Sequence, residues 1–121
     1  MQQVANLNLA ELWKKVDAPT LIIYGTSDFL TTAEEHQYLA NLINSYHPGR
    51  ATFVKIENMD HYLTRAASMR ESLERSDPGE FQPAFLEELE RWLSRLLQPE
   101  QFKTYYRRFP EPALEVLALR S

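Results

Sequence analysis

The sequence predicts an α/β fold in which one βαβ unit with flanking helices forms part of a larger sheet. Two apolar segments, TLIIY at residues 20–24 and ATFVKIE at 51–57, have the length and composition of strands. The segment between them, LTTAEEHQYLANLINSY, has the apolar spacing of an amphipathic helix. Because a helical crossover joins parallel strands, we expect the two strands to pair in parallel.

Composition narrows the class of protein. The chain has 121 residues, of which 44% are hydrophobic and 25% charged, as in a globular domain. Its net charge of −4 argues against nucleic-acid binding, which favours a basic face. With no cysteine, disulfides, thiolate nucleophiles and cysteine-based zinc sites are excluded. No apolar run approaches the roughly 18 residues of a membrane span, and no signal peptide is visible, so we expect no membrane association and favour a cytoplasmic location.

The first helix and strand follow from local patterns. A helical stripe of apolar residues ends where the chain reaches Pro19, because the residue before a proline disfavours helix. The strand that follows is apolar throughout and is bounded by Pro19 and Gly25, which is typical of a parallel strand covered on both faces. The residues of the helical stripe are Leu9, Leu12, Trp13 and Val16.

The second helix begins with a recognisable cap. Thr32 and Glu35 have the spacing of a capping box, in which each side chain bonds the other's backbone. The apolar stripe that follows consists of Leu39, Leu42, Ile43 and Tyr46, and the sequence HPG then ends the helix. In the second strand, Phe53 and Val54 are the best candidates for the core.

The remainder predicts two more helices and too few strands. A charged helix is expected around residues 65–75, and a second helix begins at Pro83, with Trp92 as a core residue of its leucine-rich stripe. The tail adds at most one strand, LEVLAL. Since an average sheet has about five or six strands, and two alone are marginal, we expect the open strand edges to need partners.

Two side chains are placed to meet at one edge of the sheet. Asp28 follows the first strand and His61 follows the second, and the carboxyl ends of parallel neighbours lie side by side. A carboxylate bonded to one imidazole nitrogen fixes the tautomer and leaves the other nitrogen free to accept a proton. The pair is therefore two-thirds of a nucleophilic triad, in the order acid then histidine.

Alternative interpretations of these residues remain. Asp28 could serve only as a turn residue that bonds its own backbone. Asp60 is a second candidate for the acid, but neighbouring side chains on a tight turn usually point apart. The three histidines lack metal-ligand spacing, so no metal site is expected. We interpret YYRRF, at residues 105–109, as a packing or solvated segment rather than a nucleic-acid contact.

The segments LWKKVDAPTLIIYGTSDF, ATFVKIENMDHYL and FLEELERWLSRL resemble the C-terminal third of an α/β-hydrolase, over roughly residues 7–97. Within this family, the segments are most similar to the prolyl-peptidase and esterase-like branch. The resemblance implies a partial α/β-hydrolase sheet in residues 1–98, with Asp28 as triad acid and His61 as general base, and no cofactor. Residues 99–121 form a C-terminal extension that we expect to cover a sheet edge or to be exchanged between subunits.

The family's nucleophile is missing from this chain. The nucleophile elbow requires G-x-S-x-G, and although Ser27 follows Gly25 by two positions, Phe29 replaces the second glycine. We therefore expect the chain to be inactive alone, as a truncated hydrolase whose serine comes from elsewhere. The alternative is a non-catalytic binding or structural module derived from a hydrolase. Both hypotheses predict a homo-oligomer, most simply a dimer, or a partner chain that completes the sheet.

Overall fold

The computed structural model describes residues 8–97 of the 121-residue chain. The predicted strand LEVLAL, the segment YYRRF and the whole extension 99–121 lie outside the described residues. A boundary between two compact units falls between Phe85 and Leu86. In chain order the elements are α1 (Leu9–Lys14), β1 (Thr20–Gly25), α2 (Ala33–Tyr46), β2 (Ala51–Ile56), α3 (Met69–Glu74) and α4 (Ala84–Leu96).

The sheet has two parallel strands among the described residues, which confirms the predicted pairing. Its register runs from the pair Thr20 and Ala51 to the pair Gly25 and Ile56. The backbone N–H of Thr26 continues the pairing by donating to the carbonyl oxygen of Ile56 at 3.0 Å. The loops after β1 and β2 therefore begin side by side, at the same edge of the sheet.

Helix α2 packs against both strands and has the predicted capping box. The Thr32 hydroxyl accepts from the Glu35 amide at 3.2 Å, and the Glu35 carboxylate accepts from the Thr32 amide at 2.8 Å. After the helix, Gly49 takes a left-handed conformation with φ of 78°. Ile43 and Ala40 on the inner face form the core with Ile22 of β1, and Trp13 and Phe53 pack at its border.

Four residues of the predicted apolar faces are more exposed than expected. In α1 only Trp13 packs against the core, whereas Leu9 and Leu12 are exposed. In β2 the fully buried side chain is Ile56, while Phe53 and Val54 are half-buried. A two-stranded sheet is too narrow to bury both faces of its strands, so Phe53 and Val54 of β2 keep partial access to solvent, whereas Ile22 and Tyr24 of β1 are buried.

The third helix is shorter than predicted. Helix α3 begins after the N-cap Ser68, and the chain before it is a loop rather than a helical turn. Residues 65 and 66 use their backbone amides for tertiary bonds, since Arg65 N–H donates to Glu80 at 2.7 Å and Ala66 N–H to Asn58 at 3.0 Å. These bonds override the local helical preference of the segment.

Helix α4 carries its apolar residues without burying any of them fully. Trp92, predicted as a core residue, is half-buried, because the large indole ring is rarely covered completely by a single helix face. Every helix among residues 8–97 is too short or too polar to span a lipid bilayer.

Candidate active site

Asp28 lies in the tight loop that follows β1, with only 5% of its side chain exposed. Its Oδ1 accepts hydrogen bonds from the amides of Leu30 at 2.7 Å and Thr31 at 3.0 Å. Its Oδ2 accepts from the Thr31 hydroxyl at 2.6 Å. The interpretation of Asp28 as a turn residue is therefore correct, but it is incomplete, because Oδ2 has a further partner across the sheet edge.

That partner is His61, in the loop after β2. The distance between Asp28 Oδ2 and His61 Nδ1 is 3.0 Å, so the contact expected from the parallel pairing is found. The two groups differ in environment, since the carboxylate is buried whereas 43% of the imidazole side chain is exposed. The Tyr62 ring lies edge-on to the imidazole, with centroids 5.8 Å apart. A catalytic role for the two residues stays a prediction.

The charge state of Asp28 fixes which imidazole nitrogen carries the proton. Burial raises the pKa of Asp28, but hydrogen bonds from Thr31, His61 and the Leu30 amide outweigh it, so its pKa lies below the ordinary value. At neutral pH Asp28 is an acceptor only, and His61 must donate to it through Nδ1–H. In the neutral ring the lone pair is then on Nε2, which forms no hydrogen bond with residues 8–97.

Ser27, which follows Gly25 by two positions, is buried and hydrogen-bonded. Its side chain is buried, and its hydroxyl donates to the carbonyl oxygen of Ala66 at 2.6 Å. Its backbone amide donates to the Met59 carbonyl at 2.9 Å. Ser27 thus links the loop after β1 to the chain on both sides of His61, and its weakness as a nucleophile stays a prediction.

Asp60, the other candidate acid, faces a different set of partners. Its carboxylate is 1% exposed and bonds Thr64, Ser72 and Arg75 rather than the neighbouring imidazole. Burial raises the pKa of Asp60, but hydrogen bonds from these three residues outweigh that effect and lower the pKa to about 2. Sequence reasoning missed this network. The hydroxyl and basic residues that follow Asp60 in the sequence could have indicated it, but that segment was interpreted only as a charged helix.

The remaining histidines are separate from this pair. Nδ1 of His36 lies 2.7 Å from the Thr32 carbonyl oxygen, at the start of α2. Nε2 of His47 lies 2.8 Å from the Lys14 carbonyl oxygen, and its Nδ1 is 3.5 Å from Asp17. Within residues 8–97, no group of three or more potential ligands is arranged to hold a metal ion.

The site therefore combines a buried carboxylate, an oriented imidazole and an accessible basic nitrogen. Such a pair can accept a proton at Nε2 and stabilise the resulting positive charge through Asp28. Comparison of the chain with protein-family models, curated proteins and solved structures gave no match.

Proposed function

We propose that this chain contributes the acid, Asp28, and the general base, His61, of a serine-hydrolase triad of the α/β-hydrolase kind. The reaction is acyl transfer to water from an ester, thioester or peptide, and the serine comes from outside this sequence, which has no G-x-S-x-G. The observation that supports the proposal is the 3.0 Å contact between a buried carboxylate and an accessible imidazole.

Each residue has one role in this reaction. Nε2 of His61 takes the proton of the serine hydroxyl as its oxygen attacks the acyl carbon, and then delivers that proton to the leaving group. Asp28 holds the ring in the Nδ1–H tautomer and stabilises the imidazolium that forms. A water molecule then attacks the acyl-enzyme through the same base, which returns the serine to its starting state.

The tautomer of His61 tests the acid–base pair directly. In nitrogen-15 NMR spectra of the full chain, at a pH where the ring is neutral, we expect His61 in the Nδ1–H form. Asp28→Asn should shift it towards a mixture, because the amide can accept from Nδ1–H or donate to the other tautomer. A ring that already favours Nε2–H, or that does not respond to Asp28→Asn, would refute the pair.

The missing nucleophile gives a second test. We expect the chain alone to hydrolyse no ester faster than buffer and to bind no serine-directed phosphonate, because Ser27 is buried with its hydroxyl engaged. Asp28→Asn and His61→Ala serve as matched controls for background hydrolysis by surface imidazoles. Stoichiometric labelling of the wild-type chain would contradict the proposal, since it would place a reactive serine within this sequence.

A second candidate function is a self-associating binding or structural module. It is favoured by the sheet, in which β1 and β2 pair only with each other among the described residues and leave two open edges. A second copy or a partner chain would then complete the sheet by strand addition. Light scattering tests this idea, because a monomer with intact secondary structure would argue strongly against it. Removal of residues 98–121 should lower solubility if the tail covers an edge.

The coding DNA ahead of the first codon separates the two functions. An open frame that leads back to a G-x-S-x-G motif would supply the serine in the same polypeptide, as the triad proposal expects. A stop codon followed by a ribosome-binding site would favour the self-associating module, unless a partner chain brings the nucleophile.

A further inference from the structure

We infer that Asp60 is a positioning residue, whose carboxylate holds the loop of residues 60–64 so that His61 faces Asp28. The inference rests on the proposed function, because Asp60 touches neither the imidazole nor Asp28 and acts on that pair only through the loop. Asp60 is one of the most deeply buried polar side chains among the described residues. An ionised group in such a place needs several donors to offset its desolvation, and the loop provides them.

One carboxylate oxygen of Asp60 bonds the residues that follow His61 in the loop. Oδ1 of Asp60 accepts from the backbone amides of Tyr62 and Thr64, each at 3.0 Å, and from the Thr64 hydroxyl at 2.8 Å. The backbone adds two further bonds within the loop, from the Asp60 amide to Thr64 at 2.9 Å and from the Leu63 amide to Asp60 at 3.1 Å. His61 is thus enclosed in a short loop, between Asp60 itself and the two following residues whose amides bond Oδ1 of Asp60.

The other oxygen attaches this loop to α3. Oδ2 of Asp60 accepts from the Ser72 hydroxyl at 2.8 Å and from the Arg75 guanidinium at 2.5 Å. The same guanidinium also donates to the Thr64 hydroxyl at 3.1 Å and to the Arg65 carbonyl at 2.8 Å. Charge-assisted bonds of this kind are shorter and stronger than neutral ones, so the loop has a firm anchor outside itself.

The backbone of the loop is strained, which is why an anchor is needed. Leu63 has φ of 64°, in the left-handed region of backbone conformation that residues other than glycine rarely adopt. A strained residue of this kind persists only where the surrounding contacts determine it, and such residues concentrate at functional sites. Here the Leu63 carbonyl also accepts from the Gln82 amide at 2.9 Å. Without Asp60, the loop would relax and His61 would lose its direction.

The test compares Asp60→Asn with Asp17→Asn in the full chain. Asp17 is the control, because it too pairs with an arginine, Arg50, but lies away from the Asp28–His61 pair and beside a different histidine, His47. For Asp60→Asn we expect His61 to change from the Nδ1–H form to a mixture of tautomers. The amides of Tyr62 and Thr64 should exchange about tenfold faster, as expected when an ordinary hydrogen bond is lost. Asp17→Asn should change neither signal.

The outcomes separate this inference from the proposed function. If wild type shows the Nδ1–H form and Asp28→Asn abolishes it, while a folded Asp60→Asn retains it, the positioning role is wrong and the pair stands. If wild type lacks the Nδ1–H form, the proposed function itself fails. Faster amide exchange with an unchanged tautomer would reduce Asp60 to a structural role and overturn the inference.

A milder variant covers the case in which Asp60→Asn does not fold. Ser72→Ala removes one neutral donor from Oδ2 and leaves the Arg75 ion pair in place. We expect a smaller loss of the Nδ1–H form in the same spectra, with Ser45→Ala as the control, since the Ser45 hydroxyl bonds only within its own helix. No change of tautomer in a folded Ser72→Ala would count against the positioning role.

Discussion

The carbonyl of Met59 lies against Gly25, in the space that a Cβ atom at that position would occupy. Because Gly25 ends β1 and Met59 precedes the loop of His61, this close approach brings the two halves of the Asp28–His61 pair together. The amide of Ser27 then donates to the same Met59 carbonyl at 2.9 Å. The glycine in the sequence GTSD is therefore required for its lack of a side chain.

We predict that Gly25→Ala destabilises the fold by at least about 2 kcal/mol, because backbone atoms of Met59 must move. Denaturant unfolding measures the loss. Gly49→Ala is the control, since its position has open space but a positive φ, and we expect about 1 kcal/mol from backbone strain alone. Equal losses for the two variants would show that the Met59 contact adds nothing.

We predict that Ser27→Ala costs about 2 kcal/mol of unfolding free energy, because it leaves the buried Ala66 carbonyl without its hydroxyl partner. Ser45→Ala removes a hydroxyl bond of the same length, to Leu42, on an exposed helix surface. That control should change stability by less than about 0.5 kcal/mol. A Ser27→Ala variant as stable as wild type would mean that the hydroxyl is not needed to tie the loops.

The low pKa of Asp60 predicts a pH-dependent contribution to stability. Its folded pKa of about 2 lies below the ordinary value of 3.8, so the ionised group stabilises the fold above pH 3.8. That contribution, roughly 2 kcal/mol, is lost as the pH falls through about 2. The gap in unfolding free energy between wild type and Asp60→Asn should therefore narrow from pH 5 towards pH 2. A gap that does not change with pH would exclude the carboxylate charge as its source.

The Thr31 hydroxyl makes a separable contribution to the charge of Asp28. Since this hydrogen bond helps to lower the pKa of Asp28, Thr31→Val should raise that pKa towards its ordinary value while keeping the side-chain shape. Carbon-13 NMR titration of the Asp28 carboxyl measures the change. Thr52→Val, a matched substitution on β2, should leave it unchanged. An Asp28 titration that Thr31→Val does not move would show that the bonds from His61 and the backbone amides suffice.

The sequence predicts what is local or follows directly from topology. Thr32 and Glu35 are three residues apart, so their capping box is encoded within one turn of chain. The meeting of Asp28 with His61 follows once two parallel strands are recognised, because topology alone brings their ends together.

What the sequence does not predict depends on the path of loops. Asp60 bonds Ser72 and Arg75, which lie 12 and 15 residues further along the chain. They meet Asp60 where the chain before α3 forms a loop, in which the amides of Arg65 and Ala66 make tertiary bonds instead of helical ones. The burial of Ile56 in place of Phe53 likewise depends on which part of the narrow sheet is covered, and periodicity does not show this.

The strand register sets the position of the loop of Asp28 relative to the loop of His61. The loop of Asp28 is closed by bonds that span at most three residues, and the loop of His61 is closed around Asp60. Each loop is therefore held in shape by its own hydrogen bonds, and Ser27 links the two loops through Met59 and Ala66. Sliding β1 by one residue along β2 would move the two loops about 3.3 Å past each other. The hydrogen bond between Asp28 and His61 would not survive a displacement of that size. The register of the two strands thus sets the distance between Asp28 and His61, and we expect that a mutation far from both loops can break their contact by changing the alignment of the strands.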